Sequence, residues 1–537
     1  MRSICVALAL LATSAQAQVQ GSFSIQSINA QPSGAFGTVV AAVGDVDGDA
    51  VSDLLVGAYG ERWQGAPSGR AYVHSGADGR LLYALRSPSP AYGGAFGIAV
   101  AGLGDVDRDG VVDFAVGAPE EGSGGHVHVF SGASGGLIRT LGGGLGAVAF
   151  GYAIADAGDV DGDGAADVLV GDYKRSGSNV GGAQVLSGAS GGVLYALTPP
   201  AVEPNLHFGR AVAAGRDVTG DGTPDWAVAA RNENAGATDA GRVHVFDGGT
   251  GTLAFSVESP TPSTGGMFGL SVALCPDLDG DGTGDLVVGA GRESATVAEE
   301  GRAYVFSGTT RALLHPLRSP NPTDGGWFGQ NVVSVGDVDS DGVSDVAVGA
   351  IGESHGAPSS GTVYVFSGAS GLVVGQLASP APETGGRLGI FAAPVVDVDA
   401  GTTRAIAVGA YYEDAPAMDA GAVHVLPVVV GVVSTGPPVT PTETRLGPPR
   451  PNPASGPVTL ALVIAERDDV EVVLVDVRGR TLVRRALGHL PAGVHSVPVE
   501  TGGLAPGTYV VRVRIGDQFV ARPVGVVRGG ERGPGWR

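Results

Sequence analysis

Aspartate residues recur in this 537-residue sequence at fixed spacings that suit a bound metal ion. The fullest copies read Asp-x-Asp-x-Asp-Gly-x-x-Asp, with carboxylates at places one, three, five and nine. In a tight loop these side chains can converge on one point, and the backbone carbonyl of place seven can complete an all-oxygen shell. Such a shell favours Ca²⁺ over the smaller Mg²⁺ and over Zn²⁺, which prefers nitrogen and sulfur. We therefore predict calcium as the cofactor.

Six loops are predicted to hold an ion. Their ligand positions are Asp45, Asp47, Asp49 and Asp53; Asp105, Asp107, Asp109 and Asp113; Asp159, Asp161, Asp163 and Asp167; Asp217, Thr219, Asp221 and Asp225; Asp277, Asp279, Asp281 and Asp285; and Asp337, Asp339, Asp341 and Asp345. Place six is glycine in five loops, because the chain must turn there with a positive φ. Ala50 replaces this glycine in the first loop and Thr219 replaces an aspartate in the fourth, so these sites are predicted to be the weakest. A seventh loop keeps only Asp397 and Asp399, and we expect no ion there.

The alternative is that Asp-Gly serves only as turn chemistry. A turn explains one aspartate and one glycine, but it does not explain four carboxylates at fixed spacing in five loops. Without a cation these carboxylates would repel one another. The expected role of each ion is structural, to hold the loop that joins the first two strands of a repeat.

The loops lie within seven repeats that open on Phe-Gly and continue after the loop into an apolar strand ending in Val-Gly-Ala. The openings are Phe36-Gly37, Phe96-Gly97, Phe150-Gly151, Phe208-Gly209, Phe268-Gly269, Phe328-Gly329 and the degenerate Leu388-Gly389, at steps of 54 to 60 residues. Short β-type runs separated by Gly, Asp and Pro turns at this period are typical of propeller blades. The sequence predicts an all-β fold: a seven-bladed β-propeller over residues 18–430, followed by a small C-terminal β-sandwich.

Each repeat divides into four strands, and in the sixth these follow Phe328-Gly329 and then cover Val346–Val348, Thr362–Phe366 and Leu372–Leu377. An additional run, Phe23–Ile28, precedes the first repeat. We predict that it supplies the fourth strand of the seventh blade, so that the ring has no free sheet edge there. The alternative is that Val428–Val433 supplies that strand.

The pairing of Phe-Gly with Val-Gly-Ala around an aspartate loop, as in Phe96-Gly97 and Val116–Ala118, resembles the FG-GAP repeat of integrin alpha subunits. The resemblance covers about residues 21–430. It implies a propeller fold and, by analogy of fold, a role in adhesion; propellers serve many tasks, so the function rests on the site.

The two ends of the chain carry export features. Residues 1–17 read as a signal peptide, with Arg2, an apolar run and a small-x-small cleavage site, which leaves Cys275 as the one cysteine of the predicted mature chain. Residues 431–449 form a Pro/Gly-rich linker. Residues 450–537 read as strands of a sandwich that resembles the C-terminal sorting domain of the type IX secretion system through Arg450–Ala454, Asp476–Arg480 and Gly507–Val510. A generic immunoglobulin-like module is the alternative.

The type IX resemblance implies export through the outer membrane by that machinery, removal of the tail, and a cell-surface or extracellular location. The net charge of −22 argues against nucleic acid as a partner, since an acidic body repels phosphate. No later segment has the apolar length of a transmembrane helix.

Two motifs that suggest catalysis have simpler explanations. Gly132–Gly136 and Gly188–Gly192 match G-x-S-x-G, but they lie in a recurrent hairpin and lack the strand-to-helix context of a nucleophile elbow. His128, His244 and His424 stand in third strands, at places that other repeats fill with Tyr or Gln. We predict that these histidines pack between blades, because a catalytic or metal-binding histidine would not be exchangeable in this way.

Recognition is expected to use the variable loops and their aromatic and arginine side chains. The candidate ligand-binding residues are Tyr59, Trp63, Tyr173, Arg292, Trp327, Tyr411 and Tyr412. The leading hypothesis is a binding protein, not an enzyme, that engages an extracellular protein or glycan. The alternatives are an extracellular propeller enzyme such as a polysaccharide lyase or hydrolase, and a structural surface-layer component.

Overall fold

The computed structural model describes residues 22–175, 179–397, 402–414, 417–428, 445–446, 458–464, 468–478, 480–490, 493–499, 501, 504–516 and 518–526. The predicted signal peptide, most of the predicted linker, Arg450–Ala454 and Asp399 lie outside these residues. The described residues contain no α-helix. They also include no helix with the length and apolar character needed to cross a bilayer.

The described residues between 22 and 428 form seven four-stranded antiparallel sheets, numbered here in chain order. Sheet 1 contains Phe36–Ala42, Leu54–Ala58, Arg70–His74 and Leu81–Leu85; sheet 2 contains Val100–Gly102, Phe114–Ala118, His126–Phe130 and Leu137–Gly142; sheet 3 contains Ala153–Gly158, Asp167–Asp172, Gly182–Leu186 and Val193–Leu197; sheet 4 contains Phe208–Arg216, Asp225–Ala230, Arg242–Phe246 and Leu253–Glu258. Each of these sheets is a simple meander, in which strands adjacent in sequence are paired.

Sheets 5 and 6 repeat this meander, and sheet 7 departs from it. Sheet 5 contains Ser271–Cys275, Asp285–Ala290, Arg302–Ser307 and Leu313–Leu317; sheet 6 contains Phe328–Gly336, Asp345–Ala350, Thr362–Phe366 and Val373–Leu377; sheet 7 contains Ala392–Asp397, Thr402–Ala410, Ala422–Leu426 and Phe23–Gln26. Two short strands, Arg62–Trp63 and Ala66–Pro67, form a separate hairpin. The repeated four-stranded sheets are consistent with a β-propeller.

The burial of each strand follows its place in the sheet. Second strands such as Phe114–Ala118 are buried at every residue, which explains their continuous apolar sequence. Fourth strands such as Leu81–Leu85 are partly exposed. The second strand therefore lies in the interior of the fold and the fourth strand lies nearer to solvent.

Each sheet shares a hydrophobic core with the next sheet, and sheet 7 shares one with sheet 1. In the last of these cores Leu54 and Val56 pack with Ala393, Ala405 and Val423. The glycine of Val-Gly-Ala in one sheet faces the Phe-Gly glycine of the next. A Cβ built on Gly57 would lie 2.0 Å from the carbonyl oxygen of Gly97, and one built on Gly409 would lie 2.0 Å from that of Gly37. These glycines recur because the backbones of neighbouring sheets touch there.

The N-terminal strand closes sheet 7, as predicted. Phe23 pairs with Val425 and Gln26 pairs with Ala422 in an antiparallel register. Beyond the strand, the buried Ser27 hydroxyl donates a hydrogen bond to Glu61 in the loop that follows the second strand of sheet 1. The N-terminal segment therefore contacts both the last and the first sheet. Most of the alternative strand, residues 429–433, lies outside the described residues.

The C-terminal part forms two antiparallel sheets. One contains Arg445–Leu446, Val458–Ile464 and Gly493–Val499, and the other contains Thr481–Leu490, Asp468–Asp476, Gly507–Ile515 and Gln518–Val526 in that spatial order. Leu462 and Val499 of the first sheet share a core with Val472, Leu474 and Val511 of the second. The strand Arg445–Leu446 lies within residues 431–449, which were predicted to be a linker, because it pairs with Val458–Ile464.

Candidate functional site

The six aspartate loops lie between the first and second strands of sheets 1 to 6. The place-one side chain folds each loop around itself. In the first loop Asp45 accepts hydrogen bonds from the backbone N–H groups of Gly48 at 2.7 Å and of Ala50 at 2.7 Å. The bond from place six to place one recurs in all six loops, at 2.7 to 2.9 Å. The place-one carboxylate therefore holds the loop backbone through hydrogen bonds of the protein alone.

The ninth-place aspartate is buried and joins the loop to a distant hairpin. Asp113 Oδ2 accepts a hydrogen bond from Val106 N–H at 2.7 Å, and its Oδ1 accepts one from Gly132 N–H at 2.9 Å. The same two bonds occur at Asp53, Asp167, Asp225, Asp285 and Asp345. This aspartate therefore fixes the turn between the third and fourth strands as well as the loop itself.

Places one, three and nine converge in five loops. In each loop one carboxylate oxygen from every one of these places lies within 4.8 Å of the others. The groups are Asp45, Asp47 and Asp53; Asp105, Asp107 and Asp113; Asp159, Asp161 and Asp167; Asp277, Asp279 and Asp285; and Asp337, Asp339 and Asp345. At place five, one oxygen accepts the N–H of place seven in all six loops, as Asp109 does from Val111 at 2.9 Å.

Backbone angles explain where the loops need glycine. Place six has a positive φ in all six loops, between 66° at Ala50 and 95° at Gly282. Ala50 therefore adopts a conformation that costs a residue with a Cβ about 1 kcal/mol. Place four also has a positive φ in all six loops. Four loops have glycine there, but the other two have Arg108 and Ser340, so the sequence pattern did not reveal this requirement.

The electrostatics of the loops favour a cation. Burial raises the pKa of Asp53, Asp285 and Asp345 to about 7. At place three, burial and then the neighbouring place-five carboxylate raise the pKa of Asp107 and Asp279. A bound cation would stabilise the charged forms of all these groups and would reverse the shifts.

Unpaired oxygens in two loops fit an ion as well. Asp47 Oδ1 is buried without a hydrogen-bond partner, and so is Thr219 Oγ1 in the fourth loop. Buried polar atoms are nearly always satisfied, so such oxygens indicate a missing ligand. The donor set is made only of oxygen, which fits a hard divalent cation. The residues present could therefore hold a metal ion.

The G-x-S-x-G segments are turns, as predicted. Ser131 N–H donates to the carbonyl of Gly136, and Gly135 N–H donates to the carbonyl of Ser131, both at 2.8 Å. A Cβ on Gly132 would lie 1.9 Å from the carbonyl oxygen of Val112, so the glycine is required by a close backbone approach. Gly76, Gly188, Gly248, Gly308 and Gly368 occupy the equivalent place under the same constraint.

The third-strand histidines are buried, and each pairs with a glutamate of its own repeat that was not predicted from the sequence; their packing between blades stays a prediction. His128 Nε2 lies 2.6 Å from Glu121, His244 Nε2 lies 2.8 Å from Glu233, and His424 Nε2 lies 2.7 Å from Glu413. The hydroxyls of Tyr72, Tyr304 and Tyr364 donate to Glu61, Glu293 and Glu353. The signal was available, because a glutamate stands three residues after the alanine of Gly-Ala or Ala-Ala in these six repeats.

Four of the seven candidate ligand-binding residues, namely Arg292, Trp327, Tyr411 and Tyr412, are linked by ring contacts, directly or through Arg387. Arg292 stacks on Trp327 with its guanidinium carbon 4.9 Å from the ring centre, and Tyr411 packs against Tyr412 at 4.0 Å between ring centres. Tyr173 packs against Tyr152 and His207. Burial, and then the proximity of Tyr412 and Tyr152, raises the pKa of Tyr59. Trp63 lies elsewhere, in the short separate hairpin with Arg70 and Arg86 stacked on it.

Comparison with known proteins supports this architecture. Residues 36–74, 96–130, 208–246, 268–306 and 329–366 match the FG-GAP repeat. The chain is 37% identical over 222 residues to integrin alpha-4 of Xenopus laevis, and this aligned segment covers 40% of the chain and 20% of the integrin. It is 38% identical over 151 residues to integrin alpha-3 of Cricetulus griseus, which covers 25% and 14%. The matched segments therefore span a fifth or less of these relatives. Over them the chain is similar to integrin alpha subunits, and five of its segments match the FG-GAP repeat.

Proposed function

We propose that the chain is a secreted or cell-surface, calcium-binding, seven-bladed propeller that recognises an extracellular protein or glycan and performs no catalysis. The observation that carries the proposal is the recurrence of one carboxylate triad in five sheets, four of which contain FG-GAP matches. The similarity to integrin alpha subunits supports recognition as the task. The shared cores from sheet 1 to sheet 7 and back to sheet 1 support a closed ring.

The proposed role of calcium is to neutralise each carboxylate triad and so to stabilise the loop, its sheet and the attached hairpin. Asp45, Asp47 and Asp53 would supply the side-chain oxygens of the first site. The chain itself orients these groups, because backbone N–H groups fix Asp45 and Asp53 at hydrogen-bond distance. We expect the bound ion to stabilise the fold most where the carboxylates are most buried, because without a cation their charges would repel one another in a poorly solvated place.

We further propose that residues 450–537 form a sandwich that serves as a sorting module for the type IX secretion machinery. The two C-terminal sheets have a core of their own, which supports a separate module. The test is expression of the full chain and of a chain that ends at residue 449 in a host with this system. We expect only the full chain to reach the medium or the cell surface, and equal export of both would contradict the proposal.

The test of the recognition role is a screen of the purified protein against glycan arrays and extracellular-protein libraries. The screen is run with calcium and with excess chelator. We expect a reproducible set of ligands that is lost in chelator, because the loops that support the recognition surface then loosen. Failure to retain any ligand in calcium, or turnover of a retained polysaccharide, would contradict a non-catalytic binding role.

A further inference from the structure

A cluster of arginine and aromatic side chains surrounds a positively charged site that contains a partly buried guanidinium. The cluster is defined here as Tyr59, Tyr152, Tyr173, Lys174, His207, Arg210, Arg231, Arg292, Trp327, Arg387, Tyr411 and Tyr412. Sheets 1, 3, 4, 5, 6 and 7 contribute these residues, from the loops after their second strands and from the start of their first strands. The cluster therefore combines residues of six repeats and is not a feature of one loop.

The arginines of the cluster stack on aromatic rings. The guanidinium carbon of Arg210 lies 4.1 Å from the ring centre of Tyr152 and 4.8 Å from that of Tyr173. Arg387 lies 5.2 Å from the ring of Tyr412 and 5.7 Å from that of Trp327. Stacking on a ring face holds a guanidinium in place but leaves its N–H donors free to bind an anion.

Arg231 is a partly buried arginine of the cluster. Its Nε is buried without a hydrogen-bond partner. The cations Arg210 and Arg292 and the phenols of Tyr152 and Tyr173 lie near it. Burial and the nearby arginines lower the pKa of Arg231 to about 10. A guanidinium that is partly desolvated among other cations is costly unless an anion accompanies it.

His207 reports the same positive field. Burial and the charges of Arg231, Arg210 and Lys174 lower its pKa to about 4, although Asp239 acts in the opposite direction. His207 Nδ1 is also buried without a partner. Carboxylates occur at the edge of the cluster, where Glu120 lies 3.3 Å from Lys174 and Glu299 lies 4.0 Å from Arg292. In the part of the chain that the structure describes, neither Arg210 nor Arg231 forms an ion pair like those of Lys174 and Arg292.

Building on the recognition role proposed above, we propose that this cluster binds the carboxylate of an acidic saccharide. Arg210 and Arg231 would contact the carboxylate, since a guanidinium matches its two oxygens. Tyr59 and Tyr412, which are partly exposed, would pack against sugar rings. An acidic peptide is less favoured, because an extended peptide gains affinity by pairing with a sheet edge, and these residues lie mainly in loops.

The test is calorimetric titration of the purified protein, in saturating calcium, with a hexasaccharide of alternating glucuronate and N-acetylglucosamine. Chitohexaose serves as the neutral probe of equal length and hexaglutamate as the peptide probe. We expect the glucuronate probe to bind about tenfold to a hundredfold more tightly than chitohexaose. Equal affinity for both saccharides, or tighter binding of hexaglutamate, would overturn the proposal.

Two variants assign the contact. Arg210→Gln and Arg231→Gln are each expected to weaken glucuronate binding about tenfold or more. Arg86→Gln is the matched control, because Arg86 also stacks on an aromatic ring, Trp63, but lies outside the cluster. Melting temperatures show whether each variant is folded. If Arg231→Gln does not fold, the affinity of Arg210→Gln for the glucuronate probe decides whether the cluster binds the carboxylate.

The outcome also separates this proposal from the recognition role on which it rests. If the arginine variants retain every ligand found by the array screen, the acidic-saccharide site is wrong while the recognition role stands. If the unmodified protein binds no array ligand and no probe, both fail.

Discussion

The guanidinium of Arg80 lies 2.5 Å from a carboxylate oxygen of Asp47, the third residue of the first aspartate loop. Arg80 comes from the hairpin between the third and fourth strands of sheet 1, so a side chain of the protein itself occupies part of the space around this candidate ligand. The first loop already carries Ala50 with a positive φ. We therefore expect two separate features to weaken calcium binding at this loop relative to the next loops.

Removing the competing charge should strengthen the first site. We expect Arg80→Gln to tighten calcium binding there by roughly two- to fivefold, the equivalent of an exposed ion pair. Ala50→Gly should add to this effect by relieving the strained φ. The measurement is calorimetric calcium titration, and Arg86→Gln is a control that changes an arginine away from the loops. Weaker binding in Arg80→Gln would show that Arg80 helps to assemble the site.

The contact between sheets 7 and 1 should be sensitive to a single methyl group. Gly409→Ala would place a Cβ only 2.0 Å from the carbonyl oxygen of Gly37, which is too close for two non-bonded atoms. We expect a loss of about 1–3 kcal/mol or more in the free energy of unfolding. Gly142→Ala is the control, since its nearest neighbour would be 3.8 Å away. Equal denaturation midpoints for the two variants would contradict the close approach.

The N-terminal strand should contribute to the stability of the body. Deletion of Phe23–Ile28 removes the edge strand of sheet 7 and the Ser27 hydrogen bond to Glu61. We expect a lower melting temperature in calcium, and Ser27→Ala alone should cost about 1–3 kcal/mol because it leaves a buried acceptor short of a donor. Ile28→Ala, at a mostly exposed side chain, is the control. Unchanged melting after the deletion would refute a closing role.

Equivalent glutamates in two repeats should respond to pH in opposite ways. Burial raises the pKa of Glu353 to about 7, whereas at Glu233 the effect of burial is outweighed by His244 and Arg242, and the pKa is lowered. An unfolded chain loses the Glu353 proton near pH 4.5, so the folded state loses stability as pH rises from there to about 7.

Neutral substitutions test this difference. At pH 8, Glu353→Gln should stabilise the protein by up to about 3 kcal/mol, and it should flatten the decline of stability between pH 4.5 and 7. Glu233→Gln should destabilise it at the same pH, because it leaves a buried histidine and an arginine without their carboxylate. Denaturant unfolding of both variants at pH 5 and pH 8 measures the effect. The same sign of change in both variants at pH 8 would contradict the assigned environments.

The period, the aspartate loops and the closing strand could be predicted from sequence because each has a local pattern. Phe-Gly, Val-Gly-Ala and the six loops repeat at nearly constant steps, and Phe23–Ile28 has a β-type sequence with no repeat of its own. Glycine is favoured at place six because the chain turns there with a positive φ, and one loop alone indicates this turn. These are short-range signals, and the structure places them as expected.

Contacts between residues far apart in sequence, within a repeat or between repeats, were harder to foresee. Three examples depend on how sheets and hairpins pack: the contact of Gly409 with Gly37, the hydrogen bond that the Gly132 N–H donates to Asp113, and the position of Arg80 beside Asp47. The buried glutamates recur in sequence, but their pairing with histidine or tyrosine appears only when the third strand lies beside them. Trp63 was predicted to bind a ligand because it is an aromatic residue in a variable loop, but the arginines that stack on it, Arg70 and Arg86, are not members of the cluster.

Calcium titration of the chelated protein, with melting followed in parallel, tests the central claim most directly. We predict uptake at six sites and a rise in melting temperature, with about 1.4 kcal/mol of stabilisation per site at a tenfold excess over Kd. Asp161→Ala, Asp279→Ala and Asp339→Ala should each lower the stoichiometry by one. Asp399→Ala and the surface control Asp78→Ala should leave it unchanged. No calcium uptake, with melting indifferent to chelator, would contradict the account.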